Sequence, residues 1–172
     1  MGLEIEIVDD SGLLGLVDAA TYATFVGADW TYEQLMAHFA AQIQRAALLV
    51  WDCGDGGSSY RLRIRNDGFS SATGFREITG HIVVSGSQLH VASYTALTMA
   101  AQFPEYGIPD KHETDLTVDL APGGYQVRLV QMYDPDDFEQ ADNPPFGIHF
   151  LLEFRAGDGP EWKHVAWHPA AE

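Results

Sequence analysis

Five carboxylates fall within the nine residues "DPDDFEQAD", at Asp134, Asp136, Asp137, Glu139 and Asp142. Groups of this type and density suit three kinds of chemistry. They can ligate calcium through oxygen, act as a glycosidase-type acid and base pair, or face a cationic macromolecule. The order of ligands is not that of an EF-hand, and no glycine stands at its turn position. A glycosidase pair needs two acids brought together in space, which spacing along a chain does not show. Tyr133, Phe138 and Phe146 border the acids. Aromatic rings beside carboxylates suit a protein-binding surface, because the rings anchor a partner and the charges steer it.

Other reactive residues give weaker patterns. His164 and His168 stand four apart, a metal-binding spacing on a helix, but "WKHVAWHP" alternates as a strand does and so separates them. His81, His90 and His149 lie in strand-like segments without a convergent pattern. Cys53 is the single cysteine, which excludes an internal disulfide and a cysteine-rich zinc site. Ser85 sits in a turn-like "SGS" and not in a nucleophile elbow. The glycine-rich "GDGGSS" at 54–59 lacks the lysine of a phosphate loop and reads as a hairpin connection. No cofactor fingerprint and no set of metal ligands emerges. These residues imply a non-catalytic protein.

Charge narrows the class of partner. Nine Lys and Arg face 25 Asp and Glu, for a formal net charge of -16. Such a field repels a phosphate backbone, which argues against direct nucleic-acid binding. It attracts a basic protein and speeds the encounter. Residues 1–44 hold seven acids and no Lys or Arg, while Arg61, Arg63, Arg65 and Arg76 form a basic stripe. No apolar run reaches the length of a membrane span. The acidic N-terminal "MGLEIEIVDD" is unlike a secretory signal, which predicts a cytoplasmic chain.

Period-two patterning dominates the elements that must position these groups. Tyr60, Leu62 and Ile64 alternate with arginines in "YRLRIR", and Leu116, Val118 and Leu120 alternate with polar residues in "TDLTVDL". "LEIEIV", "LLGLV", "ALLVWDC", "GGYQVRLVQM" and the two halves of "REITGHIVVSGSQLHVASY" add further strands. "FGIHFLLEF" places Ile148, Phe150, Leu152 and Phe154 on one face. It leaves open burial on both faces or pairing of one face with a second subunit as a homodimer. "TYEQLMAHFAAQIQRA" breaks the period with a helical stripe of Leu35, Phe39 and Ile43, opened by a Thr31–Gln34 capping box. "TALTMAAQF" fits either a short helix or a strand. The expected fold is mostly β. It is an antiparallel β-sandwich with one inserted amphipathic α-helix at about 32–45, forming a single domain over residues 1–172.

Two segments resemble a known family. "ADWTYEQLMAHFAAQIQRAALLVW" is similar to the Asp-Trp-Thr-x-Glu opening, helix and strand of the competence protein J family, through Asp29, Trp30, Thr31 and Glu33. "TVDLAPGGYQVRLVQMYDP" resembles that family's late hairpin through Asp119, Leu120, Pro122, Gly124 and Tyr125. The resemblance implies a small acidic inhibitor of a companion DNA-entry nuclease, and immunity proteins against nuclease toxins use the same physics. The 134–142 loop has no clear counterpart in that family, and Trp30 and Tyr125 read as core residues. The sequence therefore predicts an inhibitor or immunity-type protein that covers a basic nuclease or toxin. The predicted contact surface is Tyr133, Asp134, Asp136, Asp137, Phe138, Glu139 and Asp142. A calcium- or carbohydrate-binding sandwich module is the alternative.

Overall fold

Alternating side chains build two sheets. In β4 (Ser58–Arg65), Tyr60, Leu62 and Ile64 are buried while the three arginines lie on the other face. The computed structural model describes residues 2–168. One sheet has the order β1 (Leu3–Asp9), β4, β9 (Phe150–Ala156), β8 (Gly123–Gln131), β5 (Arg76–Val84). The other has the order β3 (Leu48–Asp52), β2 (Leu13–Val17), β6 (Gln88–Ser93), β7 (Thr117–Asp119). Their inner faces meet in a core, where Trp51 of β3 sits edge-on to Phe150 of β9 at 5.8 Å. The mostly β, two-sheet architecture is the one expected.

Helix α1 (Tyr32–Gln44) follows its sequence signals closely. The Thr31 hydroxyl accepts from the Gln34 amide at 3.2 Å, the Gln34 side chain accepts from the Thr31 amide at 2.9 Å, and Leu35, Phe39 and Ile43 are buried. Trp30 and Tyr125 pack, partly buried, against the same core.

Three details depart from expectation. The ambiguous 95–103 segment is a second helix, α2 (Tyr94–Gln102), because Ser93 caps it by accepting from the Ala96 amide at 3.2 Å. Its small residues Ala96, Ala100 and Ala101 let it lie close on the sheet. Strands β4 and β9 pair in parallel, so the sandwich is not wholly antiparallel. Residues 162–168 form no strand. They cross the edge of β3 with one bridge, between Trp51 and Ala166.

From Val127 to Gln131 and from Phe150 to Phe154, β8 and β9 are buried on both faces. Phe150, Leu152 and Phe154 join the inner core, while Leu151 joins Val130, Met132 and Ile148 in a second apolar cluster. Ile148 thus leaves the face predicted for it, because β9 starts only at Phe150. Beside that cluster Glu153, fully buried, receives Arg128 at 2.6 Å and the Ser70 amide at 3.1 Å. Among the described residues no helix is long and apolar enough to cross a membrane.

Candidate partner-binding surface

The acidic segment leaves β8 at Gln131 and enters a short helix, α3 (Phe138–Asp142). Its carboxylates divide into two groups. Asp137 caps α3, accepting from the Glu139 and Gln140 amides at 3.1 and 3.3 Å. Asp134 accepts from the Asp136 amide at 2.9 Å and its own amide donates to the Gln140 side chain at 3.0 Å. These two acids hold the loop to itself. Asp136, Glu139 and Asp142 are exposed, and none of them forms an ion pair among the described residues.

The rings divide in the same way. Phe138 is 89% exposed, which for a phenylalanine is an uncompensated apolar surface. Phe146 is 80% exposed at φ 60, in the left-handed region that L-residues seldom occupy. Tyr133 lies elsewhere. It is fully buried, and its hydroxyl donates to Asp55 at 2.7 Å. It therefore supports the loop from beneath and does not belong to the contact surface predicted for it.

Beneath the loop lies a network absent from any local motif. Asp55 lies in the 53–57 connection, which crosses from β3 in one sheet to β4 in the other and so is not the hairpin expected, and it accepts hydrogen bonds from both Tyr60 and Tyr133. Burial first of all drives both phenols above their ordinary range, so they stay protonated and donate. His149 stands edge-on to Tyr133 at 5.1 Å and to Tyr60 at 5.6 Å. Its Nδ1 accepts from the Arg61 amide at 3.0 Å, which leaves Nε2 as the donor to the Ala141 carbonyl at 2.8 Å. A neutral imidazole thus ties β4 to α3. Burial, the largest influence on it, lowers the His149 pKa and favours that neutral form.

The β3–β4 connection and the acidic loop touch at Gly54. A methyl group there would lie 2.8 Å from the Pro135 ring, and its φ of 84 also favours glycine. Between them a cleft of about 260 Å³ is lined by Asp55, Ser58, Pro135, Phe138 and Asp142. The result is a braced, anionic surface with an apolar knob. It can receive a cationic side chain beside a hydrophobic contact.

His164 and His168 line one surface cleft but take different partners. His168 pairs with Asp52 at 3.1 Å and approaches the Tyr32 hydroxyl at 2.8 Å, whereas His164 has no part in that chain. Among the described residues no three of His, Cys, Asp and Glu converge as a metal site requires. Cys53 is buried, and its thiol is pushed up by burial, away from reactivity.

No protein-family model and no curated protein matches the chain. Two solved structures share its shape. A chain named crocagin biosynthetic gene J aligns with a TM-score of 0.58 and 13% identity, over 91% of this chain and 97% of that one. ComJ from Bacillus subtilis, an inhibitor of the DNA-degrading activity of NucA, aligns with a TM-score of 0.50 and 11% identity, over 90% and 96%. The likeness drawn from residues 28–51 and 117–135 is therefore borne out across nearly the whole chain, at the level of fold: this protein has the fold of competence protein J.

Proposed function

We propose that this chain is a non-catalytic inhibitor of immunity or antitoxin type, a single domain that binds a basic enzyme, a nuclease or toxin, and covers its working groove. One observation carries the reading. Asp136, Glu139 and Asp142 stand exposed beside Phe138, without an ion pair among the described residues, on a loop braced by Asp134, Asp137 and His149. Unpaired carboxylates imitate the phosphates that a nuclease groove is built to attract. A braced loop loses little entropy on docking. The net charge of -16 and the fold of a known nuclease inhibitor support the same reading.

The test is capture from a lysate of the source organism, with elution by a salt gradient and identification of what leaves. The expected result is a basic nuclease or toxin eluting at moderate salt, whose activity falls when the chain is added back. Absence of a basic partner, in a lysate shown to contain such enzymes, contradicts the proposal. A melting midpoint raised by calcium and lowered by chelator would instead favour the calcium-binding alternative.

A further inference from the structure

Four strands bound the two sheets, and three of them are blunted. The Val83 amide of β5 donates to the Ala46 carbonyl at 2.9 Å, and its Thr79 carbonyl accepts from the Trp162 indole at 2.9 Å. Strand β3 exchanges bonds with Ala166, from the Asp52 amide and to the Val50 carbonyl, both at 2.9 Å. Strand β7 is three residues long. Protection of this kind is how soluble proteins prevent unwanted strand pairing.

Strand β1 has none of it. It is seven residues long, contains no proline or lysine, and pairs with β4 without a bulge from Leu3–Ile64 to Asp9–Ser58. The register shows which groups are free. Arg61 turns its backbone toward β9, since its amide donates to His149 Nδ1 and its carbonyl accepts from the His149 amide. Its partner Glu6 is therefore a non-hydrogen-bonded pair, and the amide and carbonyl of Glu6 point away from β4. Alternation gives the same orientation to Glu4 and Val8. No backbone bond outside the strand ladders engages these three among the described residues.

The side chains of the same residues choose what pairs there. Glu4 is shared with Arg63 at 3.2 Å, while Glu6, opposite Arg61, forms no ion pair among the described residues and accepts from the Ser59 hydroxyl at 3.3 Å. A second β1 would set glutamates against glutamates, which disfavours pairing. An extended segment with Lys or Arg at alternate positions would meet complementary charge. We infer that β1 is a docking edge that adds a strand from a basic partner, with its cations opposite Glu4 and Glu6. This inference rests on the reading that the partner is basic, and names where an extended part of it docks.

The probe is an acetylated peptide of alternating lysine and valine, compared with the same peptide N-methylated at alternate amides and with a glutamate–valine peptide. Binding to the whole chain is followed by anisotropy and by amide exchange at Glu4, Glu6 and Val8. The expected result is binding of the lysine peptide with slowed exchange at those three amides. N-methylation, or Val8→Pro in the chain, should weaken it by about tenfold or more. Val8→Pro removes an amide that faces outward, so the β1–β4 ladder keeps its bonds and the melting midpoint should hold. Should that variant fail to fold, the methylated peptide still decides. Equal binding of the methylated and parent peptides, with exchange unchanged, would overturn strand addition and leave the acidic-surface proposal standing. Equal binding of the glutamate peptide would overturn the basic occupant. So would a dimer of this chain that Val8→Pro dissociates.

Discussion

The carboxylates of the sandwich and those of the 134–142 loop are the same chemical group put to opposite uses. Asp9, buried, accepts from the amides of Ser11, Gly12, Leu13 and Tyr94 at 2.6–3.1 Å and so fixes the β1–β2 turn and the start of α2. Asp18 accepts from the Thr21 and Ser85 hydroxyls, each at 2.6 Å. Glu153 is paired with Arg128. Every one of these charges has its partners inside the protein, as burial demands. Asp136, Glu139 and Asp142 form no ion pair among the described residues, and Phe138 beside them is 89% exposed. The net charge is thus a sum of two populations. Structural acids hold the fold, and unpaired acids are left for something else.

Substitution should separate the two populations. The largest effect is expected at Arg128→Ala, which leaves Glu153 in the interior with only the Ser70 amide and a distant Arg65 at 3.8 Å. Breaking a buried pair in this way costs about 3–5 kcal/mol, measurable by chemical denaturation. A cost below about 1 kcal/mol would place this acid with the surface population.

A smaller effect should follow acidification. His149, His38 and His90 are all held below the ordinary histidine value, chiefly by burial. The unfolded chain takes up protons near pH ~6.5 that these folded residues refuse. Stability should therefore be complete above that value and fall as the pH is lowered from about 7 toward 5.5. Melting at stepped pH checks the slope, and His149→Gln should flatten it in part. A profile that is level across this window would show that the neutral imidazole does not brace the loop.

Asp137→Ala comes next. Loss of the cap should cost about 1 kcal/mol and speed amide exchange at Glu139 and Gln140. Unchanged exchange there would mean that the loop is braced from beneath alone. The least effect on stability is expected from Asp136, Glu139 and Asp142 changed together to lysine, each within about 0.5 kcal/mol. Their effect should instead appear in association with a basic partner.

Local signals explain what the sequence revealed. The Thr31–Gln34 box and the Leu35–Phe39–Ile43 stripe are written within one helix, and α1 begins at the residue they indicate. The short apolar run of α2 matched both periods, and its cap at Ser93 shows only in the structure. The bracing of the candidate surface was not legible. Tyr133 stands beside the acids in sequence and looks like a contact residue, yet its partner Asp55 is 78 positions away. His149 reaches across 88 positions to Arg61. The parallel pairing of β4 with β9 is equally non-local, and nothing in either segment announces it. The exposed acids were legible because a charged loop between strands depends on local composition alone.

The most direct test is a capture performed side by side with the wild-type chain and the Asp136→Lys, Glu139→Lys, Asp142→Lys variant, after melting has shown both to be folded. The account predicts that a basic nuclease or toxin is retained by the wild-type chain, leaves at moderate salt, and is lost from the variant. The same enzyme retained equally by both would contradict it, and would place the contact away from this loop.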